Sequence, residues 1–186
     1  AGLYADRVAR DFGFARNFRI LPFKGLYLYS DQPPGSLRVH VYPVPDPKFP
    51  FLGLHFTVTA DGKSKIGPTA IPALWREQYS GLKQFQPTEF ANTIFRQFSL
   101  FLFSNFSFKK LALEEIQKYS RSRLVKLTST MLKDVRLQNF KQWGKPGIRA
   151  QLVNLRNNQL EMDFILEGDE NSLHVLNAVS NSLLIF

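Results

Sequence analysis

The sequence contains no cysteine, which excludes disulfides, thiolate metal ligands and cysteine nucleophiles together. Histidine is scarce as well: His40, His55 and His174 stand far apart and lack the spacing of a zinc site. No metal centre is expected. Acidic residues are few, 15 against 24 Lys and Arg, so the formal charge is +9. There is no G-x-G-x-x-G, no Walker loop, no G-x-S-x-G elbow and no His-Glu-x-x-His. Those absences argue against an autonomous nucleotide-binding enzyme. The first residues carry no signal-peptide pattern, because Asp6, Arg7, Arg10 and Asp11 interrupt any apolar run. The most apolar stretch, Ile94 to Phe108, is shorter than the ~20 residues of a membrane span and contains Arg96, Gln97, Ser99, Ser104 and Asn105.

What remains is the composition of a globular protein, 44% hydrophobic and 21% charged in 186 residues. Phenylalanine is over-used, at 18 copies, and gives a large aromatic payload for a core or a binding surface. Positive charge is concentrated between Ser107 and Arg149, where 11 Lys and Arg face only Glu114, Glu115 and Asp134. Such a stretch is either a solvated helix face or a surface for an anionic partner.

Periodicity predicts a helix over 1–12, with Leu3, Tyr4, Val8 and Phe12 in phase and Gly13 as its stop. That helix starts without a capping side chain, so the sequence is expected to be entered midway. Strands are predicted over 18–29, 37–42, 51–59 and 64–67. Pro43, Pro45, Pro47 and Pro50 stiffen a loop around Asp46 and Lys48, and Asp61-Gly62 marks a hairpin. Helices follow over 87–103 and 111–133; the second sets Leu113, Ile116, Tyr119, Leu124, Leu127 and Met131 opposite a basic back. Trp143-Gly144-Lys145-Pro146-Gly147 breaks this region, and strands over 148–154, 162–167 and 173–178 close the pattern. The fold class is therefore α+β: an antiparallel or mixed sheet with helices on one side.

Three segments can carry chemistry. A Pro-stiffened loop feeding the strand Leu54-His55-Phe56-Thr57 can hold His55 at fixed depth as a proton acceptor or hydrogen-bond donor. In Gly147-Ile148-Arg149, glycine permits close approach of a flat ligand, and the arginine can grip a carboxylate in bidentate fashion. Leu173 to Ala178 places Asn177 at a strand end, where ligands gather in α/β sheets. Each also reads as ordinary structure: a strand histidine, a surface arginine, a buried strand.

Together, Ala1-Gly2-Leu3-Tyr4-Ala5-Asp6, Pro22-Phe23-Lys24-Gly25, the Tyr42 to Thr57 run, Pro146 to Gln151 and Leu173 to Ala178 resemble the L-2-hydroxyglutarate oxidase/dehydrogenase family. These are FAD-dependent oxidoreductases of the D-amino-acid-oxidase-like superfamily. The resemblance implies a split FAD-binding domain, represented by 1–16 and 146–186, around a substrate domain over 17–145. It implies that the parent enzyme oxidises L-2-hydroxyglutarate, or a similar 2-hydroxy acid, to 2-oxoglutarate by hydride transfer to flavin. Arg149 takes the role of carboxylate clamp and His55 that of pocket residue, with Gly2, Gly147, Ile148 and Asn177 beside FAD. The family's dinucleotide loop and its flavin-facing C-terminal helix find no counterpart, so the chain is expected to be a fragment, inactive alone. The competing expectation is a non-catalytic module that meets an anionic surface through its basic, Phe-rich helices. In that case a membrane suits the pattern better than nucleic acid, whose binding favours aromatics interleaved with cations. Self-association through open strand edges is expected, as is a cytoplasmic location with peripheral contact at the inner membrane.

Overall fold

The computed structural model describes residues 2–44, 53–103 and 106–177. Most of the Pro-rich loop, with Asp46 and Lys48, lies outside the described residues, as does Ala178 onward. In chain order the elements are a single turn of 3-10 helix (Gly2–Tyr4), α1 (Ala5–Asp11), β1 (Phe18–Gly25), β2 (Leu28–Ser30), β3 (His55–Val58), β4 (Ser64–Gly67), β5 (Ile71–Pro72), α2 (Pro87–Phe103), α3 (Phe106–Gln117), α4 (Arg121–Thr128), a second 3-10 turn (Leu137–Asn139), β6 (Phe140–Trp143), β7 (Gly147–Asn154), β8 (Gln159–Leu160), β9 (Leu166–Gly168) and β10 (Leu173–Val175). The class is α+β. Strands group as β5-β1-β7-β8, β3-β4-β2-β6 and the hairpin β9-β10.

Two compact units form: Ala1–Phe23, Pro72–Lys109 and Ile148–Phe186 make the first, Lys24–Ile71 and Lys110–Gly147 the second. Residues 72–109 thus cluster with the first unit, beside the two segments 1–23 and 148–186.

In the first unit, α1 turns Ala5 and Ala9 inward onto Ala15, Ile20, Ala150, Leu152 and Leu176. Two alanines one turn apart let the helix lie close to the strands. The helix stops where the Gly13 N–H donates to Arg10 O at 2.9 Å and the Phe14 N–H to Ala9 O at 2.9 Å. Helix α2 starts on Pro87, where the missing N–H costs nothing, and sets Glu89 in its first turn.

The second unit is built on the antiparallel sheet β3-β4-β2-β6. Its core joins Leu28, Leu54, Phe56, Ile66 and Phe140 to Leu124 and Val125 of α4. Burying each large side chain stabilises by about 1.5–3 kcal/mol. Asp61-Gly62 closes the β3–β4 hairpin as expected: the Thr59 N–H donates to Lys63 O at 2.8 Å and the Gly62 N–H to Thr59 O at 2.9 Å. Across this hairpin His55 faces Gly67. Gly67 has φ +140°, and a Cβ there would lie 2.5 Å from Leu26 O. Gly67→Ala is expected to destabilise by at least about 1–3 kcal/mol, the usual cost of such backbone strain. Urea denaturation checks this, and an unchanged midpoint would contradict it.

Three sequence expectations need correction. Residues 37–42 form no strand: only Val41 bridges to Phe56, and Val39 is exposed. Val41 meets the open edge of β3, but the Val58 N–H that would continue the ladder donates to His40 Nδ1 at 3.1 Å, and Pro43 has no N–H to give on the other side. The predicted helix over 111–133 is broken into α3 and α4 by an extended Ser120 (φ −79°, ψ 121°). Leu113, Ile116 and Tyr119 are exposed while Leu124 and Val125 are buried, so the supposed single stripe faces two environments. A buried carboxylate tethers α3 instead: Glu115 accepts from the Ala70 N–H at 2.8 Å and pairs with Lys118. Finally, Phe140–Trp143 is a strand hydrogen-bonded to β2, and the chain break begins only at Gly144.

Candidate functional site

His55 is buried at the first position of β3. Its Nδ1 lies 3.1 Å from the carbonyl oxygen of Gly53. A carbonyl only accepts, so this contact requires the hydrogen on Nδ1. The neutral ring then carries its lone pair on Nε2. Gly53 has φ +80°, in the left-handed region, and that conformation sits two residues before the histidine it orients. Tyr42 covers one face of the imidazole, with ring centroids 4.7 Å apart. A cavity of about 600 Å3 in the same unit, lined by Tyr29, Asp31, Lys63, Trp143 and Lys145 among others, does not include His55.

Arg149 is half-buried on β7, between half-buried Ile148 and buried Ala150. Gly147 begins that strand, and a Cβ there would meet nothing within 4 Å. Gly147 belongs to the second unit with His55; Ile148, Arg149, Gly2 and Asn177 belong to the first. Gly2 is exposed with open space beside it. Asn177 sits in a turn after β10 rather than in the strand expected over 173–178. Its Oδ1 accepts from the Ile165 N–H at 2.8 Å, and its Nδ2 donates to Asp163 O at 2.6 Å. Both ends of the amide are thus committed to holding the 163–165 segment. His174, one strand earlier, packs against Phe12 and Phe14 at 5.1 and 5.0 Å. Gly2 and Gly147 leave open space beside the backbone, and the Asn177 amide has capacity for one further donated and one further accepted bond. Contact of Gly2, Gly147, Ile148 and Asn177 with FAD is what the resemblance implies, and no chemical step is assigned through them.

A densely bonded cluster among the described residues of the first unit has little local signature in the sequence. Asp6 is fully buried on α1, and Arg76 grips it in bidentate fashion, Nη1 to Oδ1 at 2.7 Å and Nη2 to Oδ2 at 2.9 Å. The Ile20 N–H adds a third bond at 3.2 Å, and Arg10 approaches at 3.3 Å. Arg76 also donates to Leu3 O at 2.6 Å, and its Nε lies 3.5 Å from the carboxylate of Glu89. Glu89 accepts the Arg76 N–H at 3.1 Å and pairs with Arg7. Tyr4 stacks beneath Arg7 and Arg76 and donates its hydroxyl to Glu77 at 2.9 Å. Burial, that hydrogen bond and the charges of Glu77 and Glu89 push the phenol up to about 12. One carboxylate on the inward face of α1, beside Ala5 and Ala9, was the only sequence signal of this network.

The basic stretch is partly compensated within its own unit. Lys118 pairs with Glu115, Arg136 lies 3.7 Å from Asp134, and Lys141 lies 3.7 Å from Asp31. Among the described residues no group of histidines and acids has the arrangement of a metal site, and no helix is long and apolar enough to cross a membrane.

No family model matches the sequence. Individual relatives do. The mitochondrial L-2-hydroxyglutarate dehydrogenase of Nematostella vectensis is 36% identical over 186 residues, covering 96% of this chain and 40% of that protein. The mitochondrial human protein of the same name is 35% identical over 187 residues, covering 97% of this chain and 39% of its own length. The L-2-hydroxyglutarate dehydrogenase of Indibacter alkaliphilus is 32% identical, covering 97% of this chain and 45% of the relative. The chain spans roughly two-fifths of the length of the relatives it matches. Over nearly its whole length, then, this chain corresponds to a segment of the L-2-hydroxyglutarate dehydrogenase family.

Proposed function

We propose that this chain supplies the acid-binding side of a dehydrogenase that oxidises L-2-hydroxyglutarate to 2-oxoglutarate, with FAD the acceptor implied by the resemblance. The observation that carries the proposal is the contact of His55 Nδ1 with the Gly53 carbonyl at 3.1 Å; in the neutral ring with its hydrogen on Nδ1, Nε2 is the basic nitrogen. In that role Nε2 takes the proton of the substrate hydroxyl, the task of a positioned general base. Arg149 grips a substrate carboxylate through its planar fork, which fixes the acid's orientation as well as its charge. The dehydrogenase names of the relatives support the reaction class.

A segment-replacement enzyme tests this reading. The matched segment of the Indibacter alkaliphilus relative is exchanged for this chain, and flavin content and 2-oxoglutarate formation are measured. A flavin-loaded enzyme that oxidises the L-enantiomer supports the proposal; a flavin-loaded one that ignores it overturns it. The chain by itself, mixed with FAD and L-2-hydroxyglutarate, is expected to turn over little.

A second reading has one specific observation in its favour. Helix α2 exposes Phe95, Phe98 and Phe103, the outer two more than 70% exposed, which suits peripheral contact with a lipid surface. Pelleting with phosphatidylserine vesicles is expected to be weakened by Phe95→Ser together with Phe98→Ser. Equal pelleting with neutral vesicles, or none with either, would sink it. The cytoplasmic, inner-membrane location expected from the sequence remains a proposal beside the mitochondrial names of the animal relatives.

A further inference from the structure

In the first unit, α1, β1 and α2 enclose a cavity of about 300 Å3 whose lining includes Arg7, Arg10, Arg19, Arg76 and Arg96. Glu89 is the one acid in that lining, and Asp6 lies buried behind it. Five guanidiniums thus face two carboxylates, a surplus of three positive charges. The carboxylates are already taken: Asp6 by the bidentate grip of Arg76, Glu89 by Arg7 and the Nε of Arg76. Arg10 only shares Asp6, at 3.3 Å. Arg19 spends one nitrogen, Nη1, on the carbonyls of Ala15, Arg16 and Phe18. Arg96 forms no hydrogen bond or ion pair with another described residue.

We infer that this cavity is a binding site for a small oxyanion carrying two or more negative charges, held by Arg10, Arg19 and Arg96. Three converging cations in a partly enclosed space repel one another unless an anion lies between them, and forked guanidiniums match the paired oxygens of phosphate or carboxylate. The titration of the cluster agrees. Burial first, and then repulsion from Arg10, hold the Arg19 and Arg96 guanidiniums below the usual arginine range. A bound anion offsets both by favouring the charged guanidiniums. Asn92 and Thr93, one turn before Arg96 on α2, place further polar groups on the same wall. The site does not involve His55 or Arg149, so it stands or falls independently of the proposed reaction.

Calorimetric titration of the chain with inorganic phosphate, at ionic strength held constant with chloride, tests the inference. Saturable binding is expected at one phosphate per chain, at least tenfold weaker in Arg96→Gln and in Arg19→Gln. Arg96→Lys should fall between, keeping the charge but losing the fork. Lys126→Gln, which removes a charge from the second unit, should leave phosphate binding unchanged. Should Arg19→Gln fail to fold, Arg96→Gln decides, since among the described residues Arg96 makes no hydrogen bond. Parallel titrations with 2-oxoglutarate and with phosphatidylserine vesicles distinguish a soluble polycarboxylate from a lipid headgroup as the source of the oxyanion. The inference is overturned if phosphate shows no saturable binding, or if Arg96→Gln and Lys126→Gln weaken binding alike.

Discussion

Asp6→Ala is expected to lower the stability of the first unit by about 3–5 kcal/mol, the range found when one partner of a buried ion pair is removed. Asp6 is fully buried and Arg76 is 5% exposed, so the orphaned guanidinium cannot reach bulk water without moving the chain around it. The Ile20 N–H would lose its acceptor at the same time. Arg10→Gln should cost under about 1 kcal/mol, because Arg10 is more exposed and meets Asp6 only at 3.3 Å. Urea denaturation of the two variants checks the contrast, and equal small losses would contradict it.

The same pair sets an acid limit. Burial pushes the Asp6 carboxyl up, but the hydrogen bond and charge of Arg76, the Ile20 N–H and Arg10 together outweigh it, so the net displacement is downward. In the unfolded chain the group titrates near about 3.9. Its contribution is therefore complete above that pH and is lost as pH falls through the lower, folded value. In that window the unfolded state binds the extra proton, which corresponds to a slope of up to about 1.4 kcal/mol per pH unit. Asp6→Ala should remove this part of the acid slope and leave the rest.

In the segment-replacement enzyme, His55→Gln is expected to reduce kcat by about 10²–10⁴, the usual contribution of a general base. Glutamine keeps a polar side chain beside the Gly53 carbonyl but has no basic nitrogen at the Nε2 position. Arg149→Lys should instead act mainly on KM, because ammonium retains the charge while losing the two parallel bonds. This opposite partition separates proton transfer from substrate binding, whereas general loss of structure would lower flavin content in both. A pH profile adds a further check: the acid limb of kcat should disappear in His55→Gln.

Local chemistry was legible in the sequence wherever a few adjacent residues decide the outcome. Pro87-Thr88-Glu89 marked the start of α2, and Asp61-Gly62 marked the β3–β4 turn. Strand β6 was not legible, because Phe140-Lys141-Gln142-Trp143 lacks clean alternation and is fixed by pairing with β2, more than a hundred residues earlier. The break between α3 and α4 was hidden for a related reason. An unbroken helical period runs through Tyr119 and Ser120, while the tether that places α3 is Glu115 on the distant Ala70 N–H. The Asp6–Arg76 pair joins residues 70 apart, so no local pattern announces it. At the candidate site, His55 was readable as a strand histidine following a stiff loop. Its tautomer was not, since that depends on the left-handed backbone at Gly53.

Whether this chain supplies the acid-binding side is decided by the rate of 2-oxoglutarate formation from L-2-hydroxyglutarate by the flavin-loaded segment-replacement enzyme, with and without His55→Gln and Arg149→Lys. Turnover by the unsubstituted enzyme is expected, with a collapse of kcat in the first variant and a raised KM in the second. Undiminished turnover in both variants, at full flavin content, would contradict that role.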